Sequence, residues 1–150
     1  MTVDFVKGTA PAFVAATVAW GGEYSEKRVR KEFEELAAWV TAAKLRAGRW
    51  FFMSHGERRW VVGIEVRGGA RGSGKVRVRR YPKRSVVRVS FDPDAVSPRV
   101  VYHGLTDHLR WEKRSQRIRS VGDYREVYRG NPWKDASAWS HLTVEAIVRS

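Results

Sequence analysis

The sequence predicts an α+β domain made of two copies of a βαββ unit, with antiparallel sheets, two main helices and a pseudo-twofold axis. Three observations predict this class. The 150 residues, 43% of them apolar, suffice for one hydrophobic core. Each half of the chain contains one segment with the apolar spacing of a helix. Strand-like segments stand before and after each helix in the same order, so that a central groove between the two units is the natural place for a ligand.

The first half of the chain begins with an apolar strand, Phe13 to Trp20. A helix is predicted from about Glu26 to Ala47, because apolar residues recur there at i, i+4 and i+7. Ser25 is a suitable N-cap for this helix, and Gly48 is a suitable stop. Two strands, at 50–53 and 60–66, complete this half, and a turn at 55–57 joins them.

A glycine-rich linker, about 68–74, separates repeat one (about 10–67) from repeat two (about 75–150). Repeat two opens with strand-like residues on both sides of Pro82, which breaks the run. Ser97 and Pro98 predict the start of a helix that continues to about Lys113. Strands at 122–129 and 142–148 follow. In the alignment of the two halves, 48–52 matches 122–126, and 62–66 matches 142–146.

The composition excludes several classes of protein. The chain has no cysteine, so it contains neither a disulfide nor a thiolate metal site. No apolar run is long enough to span a bilayer, and the first residues lack the order of a signal peptide, which predicts a soluble cytoplasmic protein. His55, His103, His108 and His141 lack metal-ligand spacing, and neither a P-loop nor a serine elbow is present. We therefore expect no metal and no cofactor.

The charge of the chain is strongly positive. Lys and Arg number 29 against 16 acidic residues, which gives a formal net charge of +13. Much of the excess lies in one basic segment, Arg71 to Arg88. Such a segment attracts polyanions, although a solvated strand face has the same composition. The sequence matches no zinc finger, RRM or helix-turn-helix, so basicity alone does not predict a nucleic-acid reader.

The segment Tyr124 to Tyr128 carries the most informative pattern in the chain. In a strand, Tyr124, Glu126 and Tyr128 share one face, whereas Arg125 and Val127 share the other. A carboxylate between two phenols can accept their hydrogen bonds or attract a cation that is stacked on their rings. An exposed face on which Glu126 pairs with a nearby arginine fits the spacing equally well, and both interpretations stay open here.

Short motifs follow one another along nearly the whole chain. The second half carries E-x-Y at 126–128, then Asn131-Pro132 and a closing strand at 144–147. The first half carries G-x-Y at 22–24, before a helix that contains Phe33, Leu36 and Trp39. The segment 81–87 lies between these two sets. In order and spacing, the motifs resemble those of the gyrase-inhibitor-like (GyrI-like) family, whose domains also serve as effector-binding domains of some AraC-type multidrug regulators.

The resemblance implies two SH2-like βαββ repeats around a central groove that takes lipophilic, often cationic or flat aromatic molecules. It also implies that Glu126 and Tyr128 lie in that groove and that the acid contacts the ligand. Other aromatic residues are then candidates for the groove wall, namely Tyr24, Trp50, Phe52, Trp111 and Tyr124. Trp133 and Trp139, in the loop after Pro132, are candidates to cover the groove.

Three functions are weighed from these features. The first is a stand-alone domain that binds a hydrophobic or aromatic, preferably cationic, small molecule. The second follows from family members that hydrolyse electrophilic compounds, in which Glu126 would act on water and Tyr128 or Tyr24 would supply a proton. The third is a protein that binds gyrase or nucleic acid through the basic segment. The sequence leaves open the ligand, its turnover, and whether the chain is a monomer or a homodimer.

Overall fold

A computed structural model describes residues 3–54, 56–67 and 69–150 of the chain. Within these ranges the chain forms eight strands and three helices, so the predicted α+β class is confirmed. In chain order the elements are β1 (Val6–Ala10), β2 (Phe13–Gly21), α1 (Glu26–Ala42), β3 (Arg46–Ser54), β4 (Arg59–Arg67), β5 (Arg77–Tyr81), β6 (Arg84–Phe91), α2 (Pro98–Arg114), β7 (Ser120–Tyr128), α3 (Ala136–Ser140) and β8 (Leu142–Arg149).

The first helix ends earlier than its apolar spacing predicts. Ser25 caps α1 as expected, and its side chain accepts a hydrogen bond from the Arg28 N–H. At the other end Lys44 turns into the left-handed region with φ 57°, and β3 begins two residues later. The prediction of Gly48 as the helix stop is therefore wrong, because Gly48 lies inside β3. No glycine or proline marks the real end, so the sequence offers no signal there.

Two short elements, β1 and α3, were not predicted. Strand β1 has only five residues, and most of them are exposed, so the sequence shows no apolar alternation. Helix α3 also has five residues, and Asp135 caps it by accepting a hydrogen bond from the Ser137 N–H. The second long helix, α2, begins at Pro98 and ends at Arg114, close to its predicted bounds.

The eight strands form one antiparallel sheet in the order β1-β6-β8-β7-β3-β4-β2-β5. The two edge strands are joined to inner strands by very short turns, β1 to β2 through Pro11 and β5 to β6 through Pro82. The pairings of β1 with β6 and of β2 with β5 keep the same register on both sides of these turns. Residues 6–17 and 77–88 therefore form one antiparallel ribbon that brings the edges of the curled sheet together. Proline fits at the two bends because no ladder hydrogen bond is needed there.

Both long helices lie on the same face of the sheet and share its main core. Helix α1 contributes Phe33 and Leu36, and α2 contributes Val101 and Leu105, all four of which are fully buried. These side chains pack against inward residues of the strands, which alternate along each strand as a period of two requires. The main core therefore fixes both helices over the middle of the sheet.

The helix-free face of the sheet has a second, smaller core around Phe51, Met53 and Val127. Beside it lies a buried ion pair, in which the Arg125 guanidinium donates to the Glu145 carboxylate at 3.0 Å from Nε. Both residues of the pair are 4% exposed, and the guanidinium also lies over the ring of Phe13. Arg125 and Val127 face this side, so the predicted assignment of alternate residues of 124–128 to opposite faces is correct.

The connector between the halves is attached to α1 rather than free. The Trp39 indole N–H donates to the Ser73 hydroxyl, and the Lys75 ammonium binds the buried carboxylate of Glu32 at 3.0 Å. Gly68, the first residue of the predicted linker, lies outside the described residues, as does His55 of the predicted turn. Of the helices that the structure describes, none combines the length and the apolarity that crossing a bilayer requires.

We expect the substitution Gly63→Ala to destabilise the fold by about 1–3 kcal/mol, because overpacking a close contact carries that cost. Gly63 pairs with Phe51 across β3 and β4, and a Cβ at this glycine would lie 2.1 Å from the Phe51 ring. The measurement is denaturant unfolding of the purified chain. Gly8→Ala is the matched control, since a Cβ there would meet its nearest neighbour at 3.9 Å. Equal stability of the two variants would contradict this packing.

Candidate functional site

The candidate site is centred on the carboxylate of Glu126, which projects from β7 toward the helices. Tyr102 of α2 donates its hydroxyl hydrogen to Oε1 of Glu126 at 2.5 Å. Tyr128, two residues further along β7, donates to Oε2 of the same carboxylate. Each oxygen of Glu126 thus has its own phenol donor, and the two phenols come from different elements of the fold.

The local structure explains how the three side chains meet. Strand β7 places Glu126 and Tyr128 on the helix-bearing face because they are two residues apart. Helix α2 buries Val101 and Leu105 in the core, and this orientation turns Tyr102, on the adjacent side of the helix, toward β7. The core packing of α2 therefore sets the position of the second phenol.

The environment keeps both phenols in their neutral, donating form. Burial raises the pKa of Tyr102 well above its usual value, and the negative charge of Glu126 raises it further. Burial and then Glu126 raise the pKa of Tyr128 in the same way. A neutral phenol donates a hydrogen bond, whereas a phenolate could only accept one. The cluster is therefore a carboxylate whose two oxygens are held by permanent donors.

Aromatic rings line one side of the carboxylate. Phe52 of β3 pairs directly with Glu126 across the two central strands. The Phe52 ring is stacked on Trp60 with centroids 5.9 Å apart, and Tyr24 meets Phe52 at 6.1 Å and Trp60 at 5.6 Å. Tyr24 is 59% exposed, and burial together with the charge of Glu126 raises its pKa. These rings form a wall that runs from the carboxylate to solvent.

A cavity of about 260 Å³ opens beside the carboxylate. Its floor is formed by Glu126 and Phe52, and Tyr102 stands at its side with Tyr124, whose ring centroid is 6.3 Å from that of Tyr102. Ser54 and Thr106 supply two hydroxyl groups to the same space. The cavity thus combines one carboxylate, three aromatic rings and a few polar groups, which is the usual composition of a small-molecule site.

The loop after β7 covers the other side of the cluster. Trp139 of α3 stacks on Tyr128 with centroids 6.5 Å apart, and Trp133 meets Phe33 at 5.6 Å. Phe33 in turn stacks on Trp50 at 5.3 Å. Both tryptophans that the sequence suggested as a cover therefore lie over aromatic residues next to the cluster.

The structure brings together most of the aromatic candidates but not all of them. Tyr24, Phe52, Tyr124 and Tyr128 surround Glu126, as described above. Trp50 is buried against Phe33 and supports Tyr128 from the neighbouring strand. Trp111 follows Tyr102 by two and a half turns of α2, which places it on the opposite side of the helix. There it is 45% exposed and lies against the Arg117 guanidinium.

Sequence reasoning missed Tyr102, the second donor to Glu126. Its helix was predicted. Tyr102 follows the buried Val101 by one position, so the sequence places it at the edge of the buried face of α2. Nothing in the sequence, however, shows which strand that side of α2 faces. Among the residues that the structure describes, no group of three His, Asp or Glu side chains could hold a metal ion.

Comparisons with known proteins show similarity at the level of structure. No protein-family model matches the sequence, and no curated protein matches it. The crystal structure of the EcmrR C-terminal domain superposes with a TM-score of 0.73 and 13% identity, over 99% of this chain and 98% of that one. The chain spans 58% of EcmrR as seen in its DNA complex.

Two further structures share the fold. SAV2435 bound to tetraphenylphosphonium has a TM-score of 0.55 and 8% identity, over 98% of this chain and 94% of that one. A hydrolase encoded by lin2189 from Listeria innocua has a TM-score of 0.62 and 11% identity, over 96% and 91%. At such identities the likeness concerns the fold. The chain therefore has the fold of the GyrI-like effector-binding domains that its motifs resemble.

Proposed function

We propose that this chain binds a hydrophobic, aromatic and cationic small molecule against Glu126. One observation carries the proposal: a carboxylate whose two oxygens accept hydrogen bonds from two neutral phenols, beside a wall of aromatic rings. A cation that leaves water gains both a countercharge and ring faces there, and cations interact favourably with each. A neutral ligand would use the rings but not the charge.

The net charge of +13 does not exclude a cationic ligand. At physiological salt the screening length is about 8 Å, so distant arginines act weakly on a group in the cavity. Glu126 lines the cavity and would contact a ligand there directly, and its surroundings are partly desolvated. The local carboxylate therefore dominates over the charges of the remote surface.

The size of the cavity limits how a ligand can enter. About 260 Å³ is slightly less than the space that drug-sized ligands occupy, which begins near 300 Å³. Tyr24 is the most exposed ring of the wall and is the side chain that can swing away at least cost. We expect Tyr24, Phe52 and Tyr124 to contact the ligand, with Trp50 supporting them from behind. The structure of SAV2435 with tetraphenylphosphonium supports a bulky aromatic cation as the probe.

A second candidate function is hydrolysis of an electrophilic small molecule. The observation that favours it is the contact of Glu126 with the hydroxyl of Tyr128, a base beside an acid. In this reaction Glu126 takes a proton from water while the water oxygen bonds to the electrophilic carbon. Tyr128, or Tyr24 at the mouth, gives its proton to the atom that takes the electron pair of the broken bond, which in an isothiocyanate is the nitrogen of the C=N bond. The protonated Glu126 then returns a proton to the tyrosine phenolate. The fold is shared with a protein described as a hydrolase, lin2189.

We also propose that the two halves are copies of one βαββ unit. Both run strand, long helix, strand, strand, and each long helix has 17 residues. The register shifts at Ala47/Trp50 in β3 and at Val121/Tyr124 in β7 occupy matching places, in line with the predicted alignment of 48–52 with 122–126. The predicted alignment of 62–66 with 142–146 matches Ile64 with Val144. The strand registers favour a match of Ile64 with Ala146 instead, two residues further along the chain.

The first test measures binding of tetraphenylphosphonium to wild type and to Glu126→Gln by calorimetry. We expect the substitution to weaken binding about tenfold or more, because it removes the countercharge at nearly constant shape. Glu34→Gln is the matched control, since Glu34 is an exposed carboxylate on α1 that pairs with Arg30. Equal weakening of binding in both variants would mean that only the net charge of the protein matters, and Glu126 would then not be the group that binds the cation.

The hydrolase candidate predicts consumption of an electrophile, which binding alone does not produce. Wild type incubated with an isothiocyanate should then release the hydrolysed product with multiple turnovers. Tyr128→Phe should keep binding of tetraphenylphosphonium within a fewfold and lose turnover by about 100-fold, in the usual range for a removed general acid. Binding of the compound without product in wild type would eliminate this candidate.

A third test concerns the ionisation of the phenols. Because Glu126 and burial both raise the pKa of Tyr102 and Tyr128, these tyrosines should ionise above the usual pH, near 10. Glu126→Gln removes the negative charge that opposes the phenolate, so we expect ionisation at lower pH, although burial still holds it above the usual value. Ultraviolet titration of tyrosinate measures this. Identical curves for wild type and variant would mean that the carboxylate does not contact the phenols.

A further inference from the structure

A large cavity lies on the helix-free face of the sheet, away from Glu126. It measures about 1060 Å³ and opens beside the bend of the ribbon at Pro82. Its walls come from both halves of the chain, with β2, β4 and β5 on one side and β6, β7 and β8 on the other. The functions discussed above make no use of this space.

Four exposed arginines line this cavity, and each comes from a different strand. Arg59 and Arg79 belong to β4 and β5, whereas Arg84 and Arg149 belong to β6 and β8. By the alternation of each strand, all four side chains belong to the helix-free face. Lys83, in the turn after Pro82, adds a fifth cation at the rim.

The lining of this cavity holds many more basic than acidic side chains. Among the described residues, no salt bridge joins any of the five to a carboxylate within 4.0 Å, and Asp123 is the one acidic side chain in the lining. Arg125 also reaches the cavity, but its guanidinium is already bound by Glu145. Five like charges gathered around one space repel each other, and an anion bound among them would relieve that repulsion.

A second cavity at the other end of the ribbon provides a contrast within the same molecule. It lies beside Pro11, measures about 500 Å³, and is lined by the corresponding parts of β3 and β4. There a salt bridge between Arg49 and Glu65 at 2.6 Å neutralises one arginine of the lining. Among the described residues, the Pro11 end therefore holds two arginines without a salt bridge, Arg46 and Arg67, against five such cations at the Pro82 end.

We propose that the cavity beside Pro82 binds a small polyanion that carries two or more phosphate groups. Because these arginines stand on strands of both halves, a ligand with several anionic groups can contact arginines of both walls. Guanidinium groups bind phosphate through pairs of parallel hydrogen bonds, and a polyphosphate brings the most acceptor oxygens into a given volume. Tyr81 also lines this cavity, and its ring offers a face to a flat group attached to the phosphates.

A small molecule fits this surface better than a nucleic-acid strand. A strand needs a continuous positive track along its backbone. Here the five cations line one cavity from strands of both halves, and the Arg49–Glu65 pair lies on the Pro11 side. The polyanion site also lies on the opposite face of the sheet from Glu126, so it stands or falls independently of the cation site.

The test uses inorganic tripolyphosphate as the probe, with calorimetry and thermal shift at physiological salt. Two double variants are compared, Arg79→Gln with Arg149→Gln in the cavity and Arg46→Gln with Arg67→Gln at the Pro11 end. Each variant removes two positive charges from the same formal net charge of +13. We expect wild type to bind one equivalent, the cavity variant to bind about 100-fold more weakly, and the control variant to stay within about twofold.

Several results would overturn the proposal. Absence of tripolyphosphate binding, or equal weakening in both variants, would leave only non-specific attraction by net charge. Binding of a short single-stranded oligonucleotide that tripolyphosphate cannot displace would assign the surface to nucleic acid instead. Glu126→Gln should leave tripolyphosphate binding unchanged, so failure of the cation site and failure of this site are distinguishable. Unaltered melting of both double variants without ligand confirms that they are folded.

Discussion

The antiparallel pairing of β3 with β7 is the constraint on which the rest of the structure depends. It joins the two halves at the centre of the sheet and sets Phe52 opposite Glu126. Because side chains alternate along a strand, this register also sets Met53 opposite Arg125 on the other face. A shift of one residue would exchange the two faces, so that the carboxylate would lie with the arginines and the phenols would lose their acceptor.

The alternation separates two opposite chemistries within one sheet. The helix-bearing face holds Glu126 among aromatic rings, and the helix-free face holds the arginines around Pro82. This separation explains how a chain with a formal net charge of +13 can present an anionic contact. The five cations around Pro82 lie behind the sheet, where screening weakens their effect on Glu126. The overall charge of the protein is thus a poor guide to the charge that a ligand meets.

Local periodicity made part of this structure predictable. The period of two placed Tyr124, Glu126 and Tyr128 on one face, and Pro98 marked the start of α2. What escaped prediction depends on contacts between distant segments. Tyr102 meets Glu126 only because α2 crosses β7, and β1 exists only because β6 offers it an edge. The end of α1 was missed for a local reason, since Lys44 turns the chain without a glycine.

The buried pair of Arg125 and Glu145 connects the two faces energetically. Arg125 is the chain neighbour of Glu126 and points to the opposite side of the same strand. An unpaired guanidinium in that buried position would oppose a cation bound at Glu126, because charges interact strongly where water is excluded. Glu145 neutralises the guanidinium at 2.9 Å, which leaves the charge of Glu126 uncompensated toward the cavity. In the proposed binding of a cation, the buried ion pair thus serves Glu126, since such pairs add little stability by themselves.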